Sequence, residues 1–418
     1  MASTISPLIS LLMPSTSPEN SDFIGINAAT LQFIACHRRD DVRQLALRGS
    51  HDASVNLQQA LCQIEGWQKA RSKHLPCAGV EGILYPRHLN MEQCSSAETA
   101  GYKAAIVARL LNSDSRRLLV DLTGGFGVDF SFLAPLFRKA VYVEQDASLC
   151  ELARHNLALL GLEHAEVVSA SAEHFLSATS SASLFFLDPA RRNSYGGRTF
   201  AISDCQPDVL QLLEALLSKG QLVMLKLSPM LDLHRVVEEL GAAFVAELHA
   251  VAVGNECKEL LAVLSKAHQG LRIFCHNDTS TFDFSPAASV AVADSASPIE
   301  GYCLYEPNAA VMKAGCFNQV AAHWQLSPVS ANSHLFLSEQ PVEGFPGRGF
   351  RILRVTSMNK RELRAALQGV GQANVSVRNF PMTAESLRRK LHLKDGGDLY
   401  IFATTLSNGR HTLIICKK

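Results

Sequence analysis

Long apolar runs are missing from this chain of 418 residues. None reaches the roughly 18 consecutive apolar residues that a helix needs to cross a bilayer, so a membrane partner is not expected. A C-x-x-C pair is missing as well. The eleven cysteines are odd in number and scattered, several in apolar settings such as Leu61-Cys62 and Ile415-Cys416. That pattern argues against a disulfide framework or a metal site, and for reduced, buried thiols in a cytoplasmic protein. No basic stretch opens the Ser/Pro-rich segment Met1 to Asn20, which reads as a loosely docked lead-in rather than a signal peptide. No internal repeat of fixed period is visible. What remains is 47% hydrophobic and 19% charged, the composition of a folded globular protein. The length exceeds one ordinary core, so about two to four domains are expected.

Net charge is absent too, with 39 Lys and Arg against 39 Asp and Glu. The balance conceals an asymmetry. Pro346 to Lys418 holds fourteen basic residues against four acidic, whereas Gln269 to Phe345 holds two against seven. A basic module at the end of a neutral chain is an electrostatic handle for a polyanion, or else a merely solvated basic surface. The compact cluster Arg388-Arg389-Lys390 favours the handle.

Residues from about 22 to 92 carry apolar residues at three and four spacing and read as helical. Ser95-Ser-Ala-Glu98 reads as a capping box opening a helix over 99–111. From Leu118 to about Ser265 strands alternate with helices, which implies a mostly parallel sheet covered on both faces. The strands are expected at 117–122, 140–144, 165–169, 184–188, 221–227, 243–253 and 258–265. The last two are joined only by Gly254-Asn-Glu-Cys257, too short for a crossover helix, so that pair must be antiparallel. Six parallel strands with a seventh inserted antiparallel is the class I (Rossmann-like) methyltransferase arrangement. Beyond Gln269 the pattern changes. Leu271 to Val292 is strand-like, Tyr305-Glu-Pro-Asn-Ala-Ala310 opens a helix, and Gly349 onward reads as a small βαβαββ unit.

The chemistry concentrates at the ends of those strands. Leu118-Leu-Val-Asp-Leu-Thr-Gly-Gly-Phe-Gly-Val-Asp129 is an apolar strand running through an acid into glycines at 124, 125 and 127. Glycines let a backbone pass close to a ligand, and the helix that follows offers free N–H groups. No Gly-Lys-Ser/Thr follows, which excludes a P-loop, and Phe130 stands where a dinucleotide fingerprint wants a third glycine. Asp121, placed before the loop, suits a cofactor with an ammonium, and S-adenosylmethionine has one. Thr123 stands where many methyltransferases have a further glycine. Glu144, 23 residues after Asp121, ends the second strand where a carboxylate can accept both ribose hydroxyl protons, with Gln145 beside it. Ser171 occupies the place of an adenine-binding acid at the third strand's tip.

Asp188-Pro189-Ala190-Arg191 is the most discriminating element. Methyltransferases acting on exocyclic or amide nitrogens often end the fourth strand with Asp/Asn-Pro-Pro-aromatic. There the acid and the proline carbonyl accept hydrogen bonds from the target NH₂ and aim its lone pair at the methyl. Here Ala190 replaces the second proline and Arg191 the aromatic. Arg191 and Arg192 suit an RNA base or phosphate. Lys226-Leu-Ser-Pro229 ends the fifth strand, where Lys226 and Ser228 either touch substrate or make ordinary turn contacts.

With these motifs in view, the chain resembles the bacterial S-adenosylmethionine-dependent methyltransferases that carry a C-terminal THUMP-like domain. The likeness extends through Glu92-Gln-Cys-Ser-Ser96, Leu225-Lys-Leu-Ser-Pro-Met-Leu-Asp232, Glu256-Cys-Lys-Glu-Leu260, Arg378-Asn-Phe-Pro381 and Leu391-His-Leu-Lys-Asp-Gly-Gly-Asp398. It implies an N-terminal helical region over 1–94, a methyltransferase domain over 95–268, a ferredoxin-like domain over 269–345 and a THUMP-like domain over 346–418. It also implies RNA, tRNA or rRNA, as substrate and partner. Methylation of a protein or small molecule, and RNA binding without catalysis, remain as rivals.

Overall fold

The computed structural model describes residues 25–50, 52–191 and 201–418. The lead-in over Met1 to Asn20 and the position of Arg192 lie outside the described residues. Contacts divide the chain into two compact units. One comprises the chain up to Leu248 plus Glu259–Gly270; the other comprises His249–Lys258 plus Leu271–Lys418.

The first unit begins with helices α1 (Ala28–His37), α2 (Val42–Arg48), α3 (Leu57–Ser72), α4 (His88–Gln93) and α5 (Ala97–Leu110). Asn27, Asp41 and Asn56 cap the first three, each side chain accepting an early backbone N–H. The cap of α5 is Ser96, whose hydroxyl accepts from Thr99 N–H at 3.3 Å. The cap therefore lies one residue later than expected, and Thr99 rather than Glu98 stands at the third helical position. Ser95 is freed by that shift to point into the interior, where it is 5% exposed.

The alternating region gives β1 (Leu118–Asp121), α6 (Val128–Leu133), β2 (Lys139–Glu144), α7 (Ala147–Leu159), β3 (Ala165–Ser169), α8 (Ala172–Ala178) and β4 (Ala182–Leu187). Then come α9 (Val209–Lys219), β5 (Gly220–Leu227), α10 (Leu233–Leu240), β6 (Val245–Val253) and β7 (Glu256–Leu264). Strand order is β6-β7-β5-β4-β1-β2-β3. Pairs β4–β5, β1–β4, β1–β2 and β2–β3 are parallel, and β5–β7 is antiparallel. β1 and β4 lie mid-sheet and are buried at every position, which is why both read as continuous apolar runs rather than alternating ones. The helix expected to begin at 205 begins at Val209, because Cys205–Gln206 pairs antiparallel with Ala190–Arg191.

The second unit holds the hairpin β8 (Arg272–Asn277) and β9 (Ser280–Phe284) where one strand-like stretch was expected. It continues with β10 (Cys303–Pro307), α11 (Ala309–Ala314), α12 (Phe317–Trp324), β11 (Ser327–Pro328) and β12 (Phe336–Ser338). The last elements are β13 (Gly347–Ser357), α13 (Lys360–Ala366), β14 (Asn374–Arg378), α14 (Ala384–Lys390), β15 (Leu399–Thr405) and β16 (His411–Lys417). Its sheet runs β11-β12-β10-β13-β16-β15-β14. One face carries Phe350, Phe402 and Ile414. The core with Ala403, Leu413 and Ile415 also gathers Leu363 of α13 and Leu387 of α14.

Candidate active site

A cavity of about 320 Å³ opens at the carboxyl ends of β1, β2 and β4. The chain leaves β1 through Gly124, Gly125 and Gly127. Gly125 and Gly127 sit at φ of +55° and +81°, a region that L side chains resist. Gly124 is demanded by packing, since a Cβ there would lie 2.2 Å from the Tyr142 ring. Tyr142, buried on β2, also donates its hydroxyl proton to Gly125 carbonyl at 2.5 Å. Glu144 completes the brace by accepting Gly125 N–H at 3.0 Å and Asp146 N–H at 2.9 Å. The loop is thus shaped before any ligand arrives. Nothing crowds a Cβ built on Gly125 closer than 3.8 Å, so its outer side is open.

Asp121, Glu144 and Asp188 all line this cavity, as do Thr123, Gly124, Gly125, Gly127, Gln145 and Ala190. Asp129, Asp146 and Glu173 line it too, and among the described lining residues there is no Lys, Arg or His. Asp121 is 1% exposed. Burial pushes its carboxyl well above the ordinary range, and the charges of Asp129, Asp188 and Glu144 add to that, against the Thr123 N–H that it accepts at 3.0 Å. So acidic a cavity repels a pyrophosphate and favours a cation.

Asp188 follows the end of β4, and its backbone N–H donates to the Thr123 hydroxyl at 2.6 Å. Its carboxylate carries an ion pair that the sequence did not reveal: Lys226 Nζ lies 2.5 Å from Asp188 Oδ2. Lys226, placed as a possible substrate contact, is instead turned onto this acid. Burial alone would lower its pKa; Asp188, then Asp129 and Glu259, raise it above the ordinary lysine value. It is a fixed cation and not a base at neutral pH. Ser228 does not line the cavity; its hydroxyl accepts Met230 N–H at 3.3 Å. Ser171 caps α8 by accepting His174 N–H at 3.2 Å, and its neighbours Ala170 and Ala172 face the cavity. Pro189 is buried between Asp188 and the Ala190–Arg191 strand.

Behind the loop lies a charge network that sequence reasoning missed. Lys103 of α5 is fully buried, with Nζ 3.0 Å from Asp129 and 2.6 Å from Glu259. Ser95 donates to Asp129 at 2.8 Å and accepts from Lys103 at 3.0 Å. Burial pushes both acids upward. Lys103 and Lys226, with the Ser95 bond, carry Asp129 below its ordinary value, whereas Glu259 stays raised. The linker into α5 is therefore part of the site: Asn90, Gln93, Cys94 and Ser95 line the cavity.

Arg388, Arg389 and Lys390 occupy the last turn of α14 in the other unit. Arg388 pairs with Asp395 at 2.6 Å and Arg389 with Glu385 at 3.9 Å. Among the described residues no group of three His, Cys, Asp or Glu is placed to hold a metal ion, and no helix is long and apolar enough to cross a membrane.

A ferredoxin-like domain model matches residues 303–346, and a THUMP domain-like model matches residues 347–418. Uncharacterized S-adenosylmethionine-dependent methyltransferases of two Mycobacterium tuberculosis strains, CDC 1551 / Oshkosh and ATCC 25618 / H37Rv, are each 28% identical over 346 residues. Those alignments cover 80% of this chain and 88% of the relative. A crystal structure of a candidate methyltransferase from Porphyromonas gingivalis W83 is 31% identical with a TM-score of 0.79, covering 93% of this chain and 97% of that one.

Proposed function

The chain belongs to the bacterial class I S-adenosylmethionine-dependent methyltransferases with a C-terminal THUMP-like domain, and from that premise we propose that it methylates a base nitrogen in RNA. The observation that carries this reading is Asp188: its carboxylate shares one acidic cavity with Asp121 and Glu144. Cofactor and acceptor acids thus meet at one sheet edge.

The residues present fit the cofactor. A cavity lined by six acidic residues and no basic one among the described lining suits a molecule carrying an ammonium and a sulfonium, and the open side of Gly125 admits close approach. When bound, S-adenosylmethionine supplies an electrophilic methyl group. We assign Asp121 to its ammonium and Glu144 to its ribose hydroxyls. The backbone of Gly124, Gly125 and Gly127 borders it, with Gln145 and the Ser171 segment on the adenine side. Asp188 Oδ1 and the Pro189 carbonyl accept the acceptor's N–H protons, orient its lone pair, and stabilise the positive charge that develops there. The Lys226 ion pair, on Oδ2, leaves Oδ1 of Asp188 for the acceptor. Ala190 leaves room where other nitrogen methyltransferases have a second proline, and Arg191 and Arg192 serve the RNA. Direct displacement needs no covalent enzyme intermediate, so positioning supplies most of the acceleration.

The RNA half of the reading is supported by the THUMP-like match over 347–418 and by the fourteen-to-four basic excess from Pro346 onward. Arg388, Arg389 and Lys390 add to that field. The test is mass spectrometry of modified nucleosides from cells with and without the gene, with Asp188→Ala as the chemical control. Asp188→Ala should abolish transfer of labelled methyl to RNA while keeping cofactor affinity; undiminished turnover would remove Asp188 from the mechanism. Transfer to protein but not to RNA would favour the other acceptor class.

A further inference from the structure

Two motifs of the second unit that the active site does not use meet at one carboxylate. Glu306, 3% exposed, accepts Arg348 Nε at 3.1 Å and Arg378 Nη2 at 2.9 Å. Two guanidiniums sharing one acid leave a surplus positive charge. Arg378 Nε is buried and has no hydrogen-bond partner among the described residues, and the same holds for His334 Nδ1. The Arg348 guanidinium lies 5.5 Å from the Phe350 ring centre and 6.0 Å from that of Tyr400. The side chains of Arg348 and Arg378 remain 42% and 34% exposed. Two half-exposed guanidiniums with more charge than their shared acid neutralises, one of them beside an aromatic ring, are the combination that holds a phosphodiester and stacks its base. On α14, by contrast, Arg388 and Arg389 already face acids of their own.

Resting on the RNA reading above, we propose that Arg348, Arg378 and Tyr400 form a nucleotide subsite for single-stranded RNA, with a phosphate on Arg378 and a base against Tyr400 and Arg348.

The test uses the full chain and a fluorescent unstructured RNA of about 16 nucleotides, followed by anisotropy at low salt. Tyr400→Leu should weaken binding about tenfold, the loss expected for one stacked base. Arg378→Lys, which keeps a cation beside Glu306, should weaken it severalfold. The circular dichroism spectrum and cooperative thermal unfolding should be retained in both and so report an intact fold. Independently, photo-crosslinking of 4-thiouridine RNA to the unaltered protein should label the peptides bearing Tyr400 or Arg348. Wild-type binding with both variants equal to it and crosslinks elsewhere would overturn the subsite and leave the RNA reading standing. Failure of the unaltered protein to bind RNA at all would overturn the RNA reading, and the subsite with it.

Discussion

The Asp188 backbone N–H donates to the Thr123 hydroxyl at 2.6 Å, tying the residue after β4 to the cofactor loop after β1. That bond gives the replaced glycine a purpose. Thr123 also lets Asp121 accept its backbone N–H, so one residue sets the spacing between the cofactor acid and the acceptor acid.

Thr123→Val should leave the Asp188 N–H without its acceptor at a cost of about 1–2 kcal/mol. Methyl transfer is expected to fall about tenfold, more than cofactor affinity falls, and Thr123→Ser should restore most of it. Steady-state kinetics alongside calorimetry reads the difference. Equal loss in both quantities would mean that Thr123 serves the loop alone.

Gly124→Ala sets a Cβ 2.2 Å from the Tyr142 ring, a buried group with no room to retreat. Overpacking of this kind costs about 1–3 kcal/mol. Thermal unfolding should drop by several degrees and cofactor binding should weaken strongly. Tyr142→Phe, which deletes only the bond to Gly125 carbonyl, should do less of both.

Asp121 supplies a pH dependence whose sign is fixed. Its folded pKa is raised, so its stabilising contribution is complete below the unfolded value and is lost as pH rises through the folded one. Cofactor binding runs the opposite way, because an ammonium needs the ionised acid. Affinity should fall as pH drops through that raised value, with a proton released on binding. Calorimetry in buffers of different ionisation heat detects the proton, and Asp121→Asn should abolish its release.

Lys103→Met leaves Asp129 and Glu259 buried without their shared cation. Breaking a buried pair from one side costs about 3–5 kcal/mol, and chemical denaturation should show a loss of that size. Adding Glu259→Gln should recover part of it. Lys226→Met should act differently, since Asp188 is 37% exposed and can find water. Its signature is a fall in turnover with little change in cofactor affinity.

The core sheet was legible because its strands announce themselves. Apolar runs at 118–121 and 182–187 end in acids, and the short 254–257 link forced the reversal of the last pair. Asp121, Glu144 and Asp188 were legible as site residues because each stands at the carboxyl end of a strand expected to be parallel to the others. Partners distant in sequence were not legible. Nothing near Lys226 shows that its ammonium meets Asp188, 38 residues away, and nothing near Ser95 shows that its hydroxyl meets Asp129. Nothing near Tyr142 shows that its ring meets Gly124 and its hydroxyl the Gly125 carbonyl. The strand-like stretch from 271 proved to be a hairpin turning at Asp278, a residue with φ of +54° whose cost no periodicity reports.

The shared sheet of the second unit bears on how the gene is cut into fragments. The ferredoxin-like and THUMP-like matches abut at 346/347, yet β10 and β13 are hydrogen-bonded neighbours across that junction, from Cys303 with Arg351 to Pro307 with Gly347. Expressing either piece separately would bare an interior strand, whose unsatisfied amides invite self-association. Fragments ending at 346 or starting at 347 should therefore precipitate, so the two matched segments belong in one expressed piece.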